Sequence, residues 1–205
     1  MSSDKQPIPI AGAPGARTRV RDRIFEAACE LFYRHGIHGV AVDAIAAEAG
    51  SNKMSFYRSF ESKDALVTEY LREQEREYWA WWDAAVARFP GDPRRQVEAL
   101  FEAQLEIAKS SDCRGCALGN AAVEISDDED VLSNLVRAYK EQVRKRLHEM
   151  AQAMGARDAE GLGDALMLLL DGGHFTRLIF PRGSGPISAA LPAVRAVINA
   201  YLAPD

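Results

Sequence analysis

The chain has 205 residues, 47% of them hydrophobic and 27% charged, a globular composition long enough for one large or two modest cores. A net charge of −5 speaks against a uniformly basic nucleic-acid binder, and three cysteines are too few for a disulfide framework, which points to a reducing compartment. The opening Met1-Ser2-Ser3-Asp4-Lys5 lacks the apolar core of a signal peptide and no uncharged apolar run approaches a membrane span, so a cytoplasmic protein with no membrane partner is expected.

The charge is unevenly placed. Residues 17–63 hold eight Lys or Arg against six Asp or Glu, whereas the chain from Asp64 onward holds 16 against 23. A basic front and an acidic rear fit a nucleic-acid face at one end and a different task for the remainder.

Residues 1–16 contain Pro7, Pro9, Pro14, Gly12 and Gly15 with little to bury, and read as a disordered arm. Its basic end, Arg17-Thr18-Arg19-Val20-Arg21, offers Arg19 to phosphates or a minor groove; a solvated helix start accounts for the same run equally well. From about Thr18 to His35, Val20, Ile24, Ala27, Ala28, Leu31 and Phe32 recur at helical spacing, and Gly36 suits the C-terminal end. Cys29 falls near that apolar face as a packing residue.

Ile45 to Lys63 carries the strongest signal. An apolar and small segment runs into Gly50, with Ala46 and Gly50 four apart where two helices cross closely at a short turn. Asn52 is a natural cap for the next helix, on which Lys53, Ser55, Tyr57 and Arg58 are donors suited to phosphates or base edges. Phe56 and Phe60, four apart, anchor it inward. This is a helix-turn-helix whose second helix enters a major groove, and Asn52, Lys53, Met54, Ser55, Tyr57, Arg58 and Lys63, with Arg19, form the candidate DNA-binding set.

The run Ile45-Ala46, Ala49-Gly50, Lys53, Phe56-Tyr57, Phe60 and Ser62-Lys63, followed by Ala65-Leu66, resembles the DNA-binding domain of the tetracycline-repressor (TetR) family of bacterial transcriptional regulators, and the match extends back through Ile24 to Gly36. Two positions depart from the family pattern. Ser51 stands where an apolar residue is usual, and Ala41 where Ser or Thr often caps the first motif helix against a phosphate.

Ser62 caps a fourth helix that runs to about Arg88 without a breaker, too long for a three-helix domain alone, so it must leave a domain spanning 17–63 and enter a second spanning 64–205. Phe89-Pro90-Gly91 ends it, and Asp92-Pro93 opens a fifth helix carrying Val97, Leu100, Phe101, Leu105 and Ala108. A loop over Ser110–Gly115 leads to a short helix from Ala117 to Ile125, and Asp127 to Asp130 suit the start of a seventh helix that ends at Gly155. Asp158 starts an eighth through Leu162, Leu166, Leu169 and Leu170 to Phe180; Ser188 caps a last one, with Pro192 tolerable in its first turn. No segment alternates as a strand, so the expected fold is all-α: a three-helix DNA-binding domain joined by a long helix to a helical ligand-binding and dimerisation domain.

The apolar faces of the last two helices exceed what a lone C-terminal helix needs, and the resemblance implies that they pair with a partner's in a homodimer, with Leu169, Phe180, Val194, Ile198 and Tyr201 at the interface. Two recognition helices one helical turn apart then read a palindromic operator. The run Tyr78-Trp79-Ala80-Trp81-Trp82 falls where family members hold a small-molecule pocket, although three aromatics at helical spacing are more often core. Tyr78, Trp82, Phe101, Leu105, Met167, Asp171 and His174 are the candidate effector residues, the effector itself being unknown.

Cys113-Arg114-Gly115-Cys116 lacks the second pair a metal site needs and the strand a thioredoxin-like site needs, so structural thiols are the default and a redox switch the alternative. Asp171 and His174, one turn apart, read as a satisfied core or pocket pair, and Gly161-Leu162-Gly163 and Gly183-Ser184-Gly185 follow no strand. No acid–base or nucleophile constellation stands out, and no cofactor or metal is expected. The chain thus reads as a non-enzymatic, ligand-responsive repressor; the competing reading is a helical small-molecule or redox-sensing protein with weakened DNA binding.

Overall fold

The computed structural model describes residues 19–110, 113–125, 131–182 and 184–202; the expected arm at 1–16, Arg17, Thr18 and the acidic run at 127–130 lie outside them. Among the described residues the chain forms nine α-helices, no strand and one 3-10 turn, Gly185–Ala189. The helices are α1 (Val20–His35), α2 (Val42–Glu48), α3 (Lys53–Ser59), α4 (Lys63–Val86), α5 (Pro93–Ala108), α6 (Ala117–Glu124), α7 (Val131–Ala153), α8 (Ala159–Ile179) and α9 (Ala190–Leu202).

Helix starts follow local chemistry. Asn52, Ser62, Asp92 and Asp158 each accept a hydrogen bond from the backbone amide three residues on, satisfying one of the free donors of α3, α4, α5 and α8. Ala41 gives α2 no side-chain cap, as its departure from the family pattern implies. One expected cap differs: Ser188 does not cap the last helix but sits inside the 3-10 turn, where its hydroxyl donates to the Gly185 carbonyl at 2.7 Å. Ser188 lies within a 3-10 turn that continues directly into α9, so it does not hold the extended position that precedes a helix.

Helices α1, α2 and α3 pack with the first half of α4 as a head, its core made of Ile24, Phe32, Ile45, Phe56, Phe60, Leu66, Val67 and Tyr70. The second half of α4 belongs to a body with α5 to α9. Here Trp82, Leu100, Phe101, Tyr139, Leu147, Leu162 and Leu166 are buried, and α7 against α8 is the most extensive helix pair. Between Leu71 and Trp82 no residue of α4 is fully buried.

The body is pinned by ions at its rim. Glu98 is almost fully enclosed and accepts from Arg94, Arg95 and Arg195, the last bond at 2.9 Å tying α5 to α9. Burial pushes its carboxyl up, but the three guanidinium groups outweigh that and hold it below its ordinary value.

Of the five dimer residues expected from the sequence, two are withdrawn from any partner by burial. Val194 and Ile198 are fully buried within one protomer, because α9 turns its apolar stripe onto α5 and α8. Leu169 and Tyr201 are half-buried and packed against the same core. The apolar surface lies instead on the opposite side of α8, where Leu168, Phe175 and Ile179 are 75%, 62% and 61% exposed, with Phe180 exposed at its end.

Candidate nucleic-acid interface

The turn between α2 and α3 rests on Gly50, whose φ of +58° is left-handed backbone that residues with a Cβ disfavour. The Gly50 and Ser51 amides close onto the Ala47 and Ala46 carbonyls at 3.0 and 2.8 Å, so α2 ends cleanly and α3 leaves at once. Asn52 Oδ1 accepts from Ser55 N at 2.9 Å, and Phe56 and Phe60, rings 5.9 Å apart, drive the inner face of α3 into the head. That fixes which face of this two-turn helix points outward.

The outward face carries the predicted donors. Lys53 is exposed, its Nζ donating to Asp43 Oδ2 of α2 at 3.2 Å, a pair open enough to exchange for a phosphate. Met54 is 65% and Tyr57 52% exposed, unusual for such side chains in a helix that also buries Phe56. Tyr57 stands edge-on to Phe56 at 5.2 Å, which orients its hydroxyl end away from the core. Arg58 is exposed with its guanidinium 3.3 Å from Met54 Sδ, and Ser55 is half-buried behind them. Arg19 is exposed at the start of α1, where its carbonyl accepts from Asp22 N and Arg23 N.

Lys63 is placed differently from the other candidates. Its Nζ donates to the Ile37 carbonyl at 2.6 Å and sits 6.0 Å from the Phe32 ring, so it ties α4 to the α1–α2 connection. Sequence reasoning had no signal for this, because the partner is a backbone oxygen 26 residues away.

The head also meets the body through contacts that single residues did not announce. Glu124 at the end of α6 accepts from the His38 amide at 2.9 Å, and its carbonyl lies 2.9 Å from His38 Nε2. The Tyr33 hydroxyl of α1 accepts from Arg114 N at 2.7 Å and donates to the Gly115 carbonyl at 3.4 Å. A cavity of about 90 Å³ lies in this joint, lined among others by Phe32, Tyr33, Tyr70, Ala117, Glu124 and Leu178.

The seven effector candidates are brought only partly together. Tyr78 stacks with Trp82 at 6.1 Å and edge-on to Tyr139 at 5.0 Å; Trp82 and Phe101 are buried, and Leu105 and Met167 are half-buried. Asp171 pairs with Lys140 of α7 at 2.5 Å rather than with His174, so these two are not a mutually satisfied pair. Burial holds the His174 imidazole neutral, down at about 4, with Lys140 adding to the effect, and its Nε2 is enclosed without a partner among the described residues. Gln104, which the sequence reading passed over, donates to the Leu170 carbonyl at 2.7 Å and leaves its own buried oxygen unpartnered beside Gly173. A second cavity, of about 320 Å³, opens between α4, α5 and α7, and of the seven candidates only Trp82 lines it.

Among the described residues no group of three or more His, Cys, Asp or Glu is placed to hold a metal ion, and no helix is long and apolar enough to cross a membrane.

Comparison with known proteins extends these findings. Residues 24–70 match the model of bacterial regulatory proteins of the tetR family. Over 130 residues, 63% of this chain and 64% of the other, the sequence is 33% identical to the HTH-type transcriptional repressor DhaR of Mycobacterium sp. (strain GP1). Over 124 residues it is 31% identical to the HTH-type transcriptional regulator LmrA of Bacillus subtilis (strain 168), 59% of this chain and 65% of that one. The aligned stretch is thus less than two thirds of either relative. A TetR-family transcriptional regulator from Streptomyces coelicolor superposes with a TM-score of 0.83 at 28% identity, covering 89% of this chain and 95% of the other. The head's sequence and the superposition across head and body agree: residues 24–70 carry the tetR-family DNA-binding pattern, and the fold of head and body is that of a TetR-family transcriptional regulator.

Proposed function

We propose that the chain is a transcriptional repressor that binds a palindromic DNA operator as a homodimer and releases it when a small molecule binds the body. The observation that carries this reading is the outer face of α3: Lys53, Met54, Tyr57 and Arg58 all project to solvent from a helix that Phe56 anchors in the head. A two-turn helix with that polarity has the width and the donors for a major groove. The repressor names of the relatives support the direction of control.

Dimerisation is supported by the outward face of α8, where Leu168, Phe175 and Ile179 recur at i, i+7 and i+11, with Gly172 between them open enough for close approach. An effector is supported by the unpartnered polar atoms of Gln104 and His174 inside the body, since buried polar groups ordinarily find partners. For release to follow, that effector must bind better to the form of the dimer that does not fit the operator.

The test is selection of duplexes from a random pool by the purified full chain. The expected product is a palindrome with half-sites about one helical turn, or a multiple of it, apart, bound with strong salt dependence. Recovery of no preferred sequence would overturn the reading.

A further inference from the structure

The loop Cys113–Cys116 sits at the joint between head and body. Tyr33 of α1 holds it through the Arg114 amide and the Gly115 carbonyl. Gly115 takes a φ of +76°, and a Cβ there would lie 2.9 Å from the His174 carbonyl of α8, so the loop is wedged between α1 and α8. Cys116 is the residue that caps α6: its Sγ accepts from Gly119 N at 3.4 Å and lies 3.8 Å from the Tyr139 hydroxyl. The far end of α6 is the Glu124–His38 contact, so both ends of that helix engage the head, one through the thiol loop.

Both cysteines are free and half-buried. The third, Cys29, is pushed up to about 12 by burial among helices and stays protonated, which makes it an internal control. We propose that Cys113 and Cys116 are an oxidation site for hydroperoxides, and that closing their disulfide uncouples the head from the body. Cys116 attacks first, because negative charge developing on its sulfur faces the N-terminus of α6 and the Gly119 amide. Its sulfur displaces the alcohol or water of the hydroperoxide and becomes a sulfenic acid. Cys113 then attacks that sulfur, forming the S–S bond and expelling water. Two thiols and one hydroperoxide give one disulfide, one alcohol (or water) and one water: the thiols lose two electrons and the O–O bond gains them.

The structural cost falls on the joint. A Cys116 sulfur bonded to Cys113 is turned away from the Gly119 amide, which removes the cap of an eight-residue helix. Drawing Cys113 toward Cys116 redraws the loop between them, whose Arg114 amide and Gly115 carbonyl Tyr33 grips. α6 then loosens at its start, and Glu124 at its end no longer holds His38.

The experiment treats the full reduced chain with hydrogen peroxide, maps the cross-link by peptide mass, and follows amide exchange together with retention of a duplex selected by the reduced protein. A Cys113–Cys116 disulfide is expected, with exchange at Gly119 and His38 accelerated about tenfold or more and DNA affinity lowered by a similar factor, all reversed by dithiothreitol. Cys113→Ser leaves the α6 cap intact and is expected to abolish the cross-link and both responses, while Cys29→Ser keeps them. Absence of the cross-link, or a cross-link that changes neither exchange nor affinity, overturns the proposal. The DNA readout rests on the regulator reading and the exchange readout does not. Accelerated exchange in a protein that binds no DNA even when reduced therefore sustains the thiol site and removes the function instead.

Discussion

Head and body solve opposite problems with the same secondary structure. The head spreads a small core over three helices and part of α4, with large side chains such as Ile24, Phe32, Ile45, Phe56 and Phe60 interleaved with buried alanines, and its outward face on α3 is polar with Met54 and Tyr57 added. The body buries far more, yet leaves its most exposed apolar surface on α8 and its unpartnered polar atoms inside. On the proposed reading, a head that binds DNA can be constrained residue by residue, whereas a body that takes up an effector and a second copy of the chain shows its task in what it leaves unsatisfied.

The sharpest test of that division is a matched pair of truncations. Phe56→Ala and Trp82→Ala each empty a buried aromatic site, at a cost of about 3–5 kcal/mol. Phe56→Ala is expected to abolish DNA retention with the body still folded and dimeric. Trp82→Ala is expected to lower the melting temperature of the body while the head binds DNA nearly as before. Calorimetry alongside duplex binding checks both, and a single shared transition lost in both variants would dissolve the distinction.

A second effect is confined to the body. His174 is held neutral, down at about 4 against an ordinary 6.5, so the unfolded chain takes up its proton first as pH falls. Its contribution is complete above about 6.5 and is lost progressively toward 4, about 3 kcal/mol in all. Denaturant midpoints across that window should fall more steeply for the parent than for His174→Gln. Equal slopes would place the imidazole in contact with water.

The α8 surface comes next. Phe175→Glu places two like charges in a self-facing patch, and the dimer dissociation constant should rise by about thirtyfold or more in sedimentation measurements, with little change in monomer stability. The smallest effect belongs to the head: Lys53→Ala should weaken binding to all duplexes alike and reduce the salt slope by about one ion, while Tyr57→Phe should cost affinity only where its hydroxyl finds an acceptor.

The contrast also explains what could be read in advance. Gly50, Asn52, Phe56 and Phe60 are each dictated by local geometry, a left-handed turn, a cap and an inward face, so the head was legible from spacing. So were the starts of α4, α5 and α8, where Ser62, Asp92 and Asp158 act within three residues of themselves. Apart from the Ser188 cap, what spacing could not show is long-range. Val194 and Ile198 form an apolar stripe that would serve a partner or the protomer's own core equally well, and only the placement of α5 decides for the core. Lys63 on the Ile37 carbonyl and Glu124 on His38 join segments that no periodicity connects. Asp171 finds Lys140 on the neighbouring helix rather than His174 on its own.

The stretch of α4 between its two anchorages has a mechanical consequence. Residues 72–77, Arg-Glu-Gln-Glu-Arg-Glu, carry no fully buried side chain, so this span of about 9 Å is held straight mainly by its own backbone ladder and by local pairs such as Gln74 with Glu77 and Arg76 with Glu73. All six residues are strong helix formers. Torsional rigidity here therefore owes more to composition than to packing, since these side chains are at most half-buried. A shaft of this kind transmits a twist from one end to the other only as faithfully as its bare section resists fraying. Under the proposed function, the fidelity of a signal between body and head would then rest on residues outside both the α3 face and the body's core.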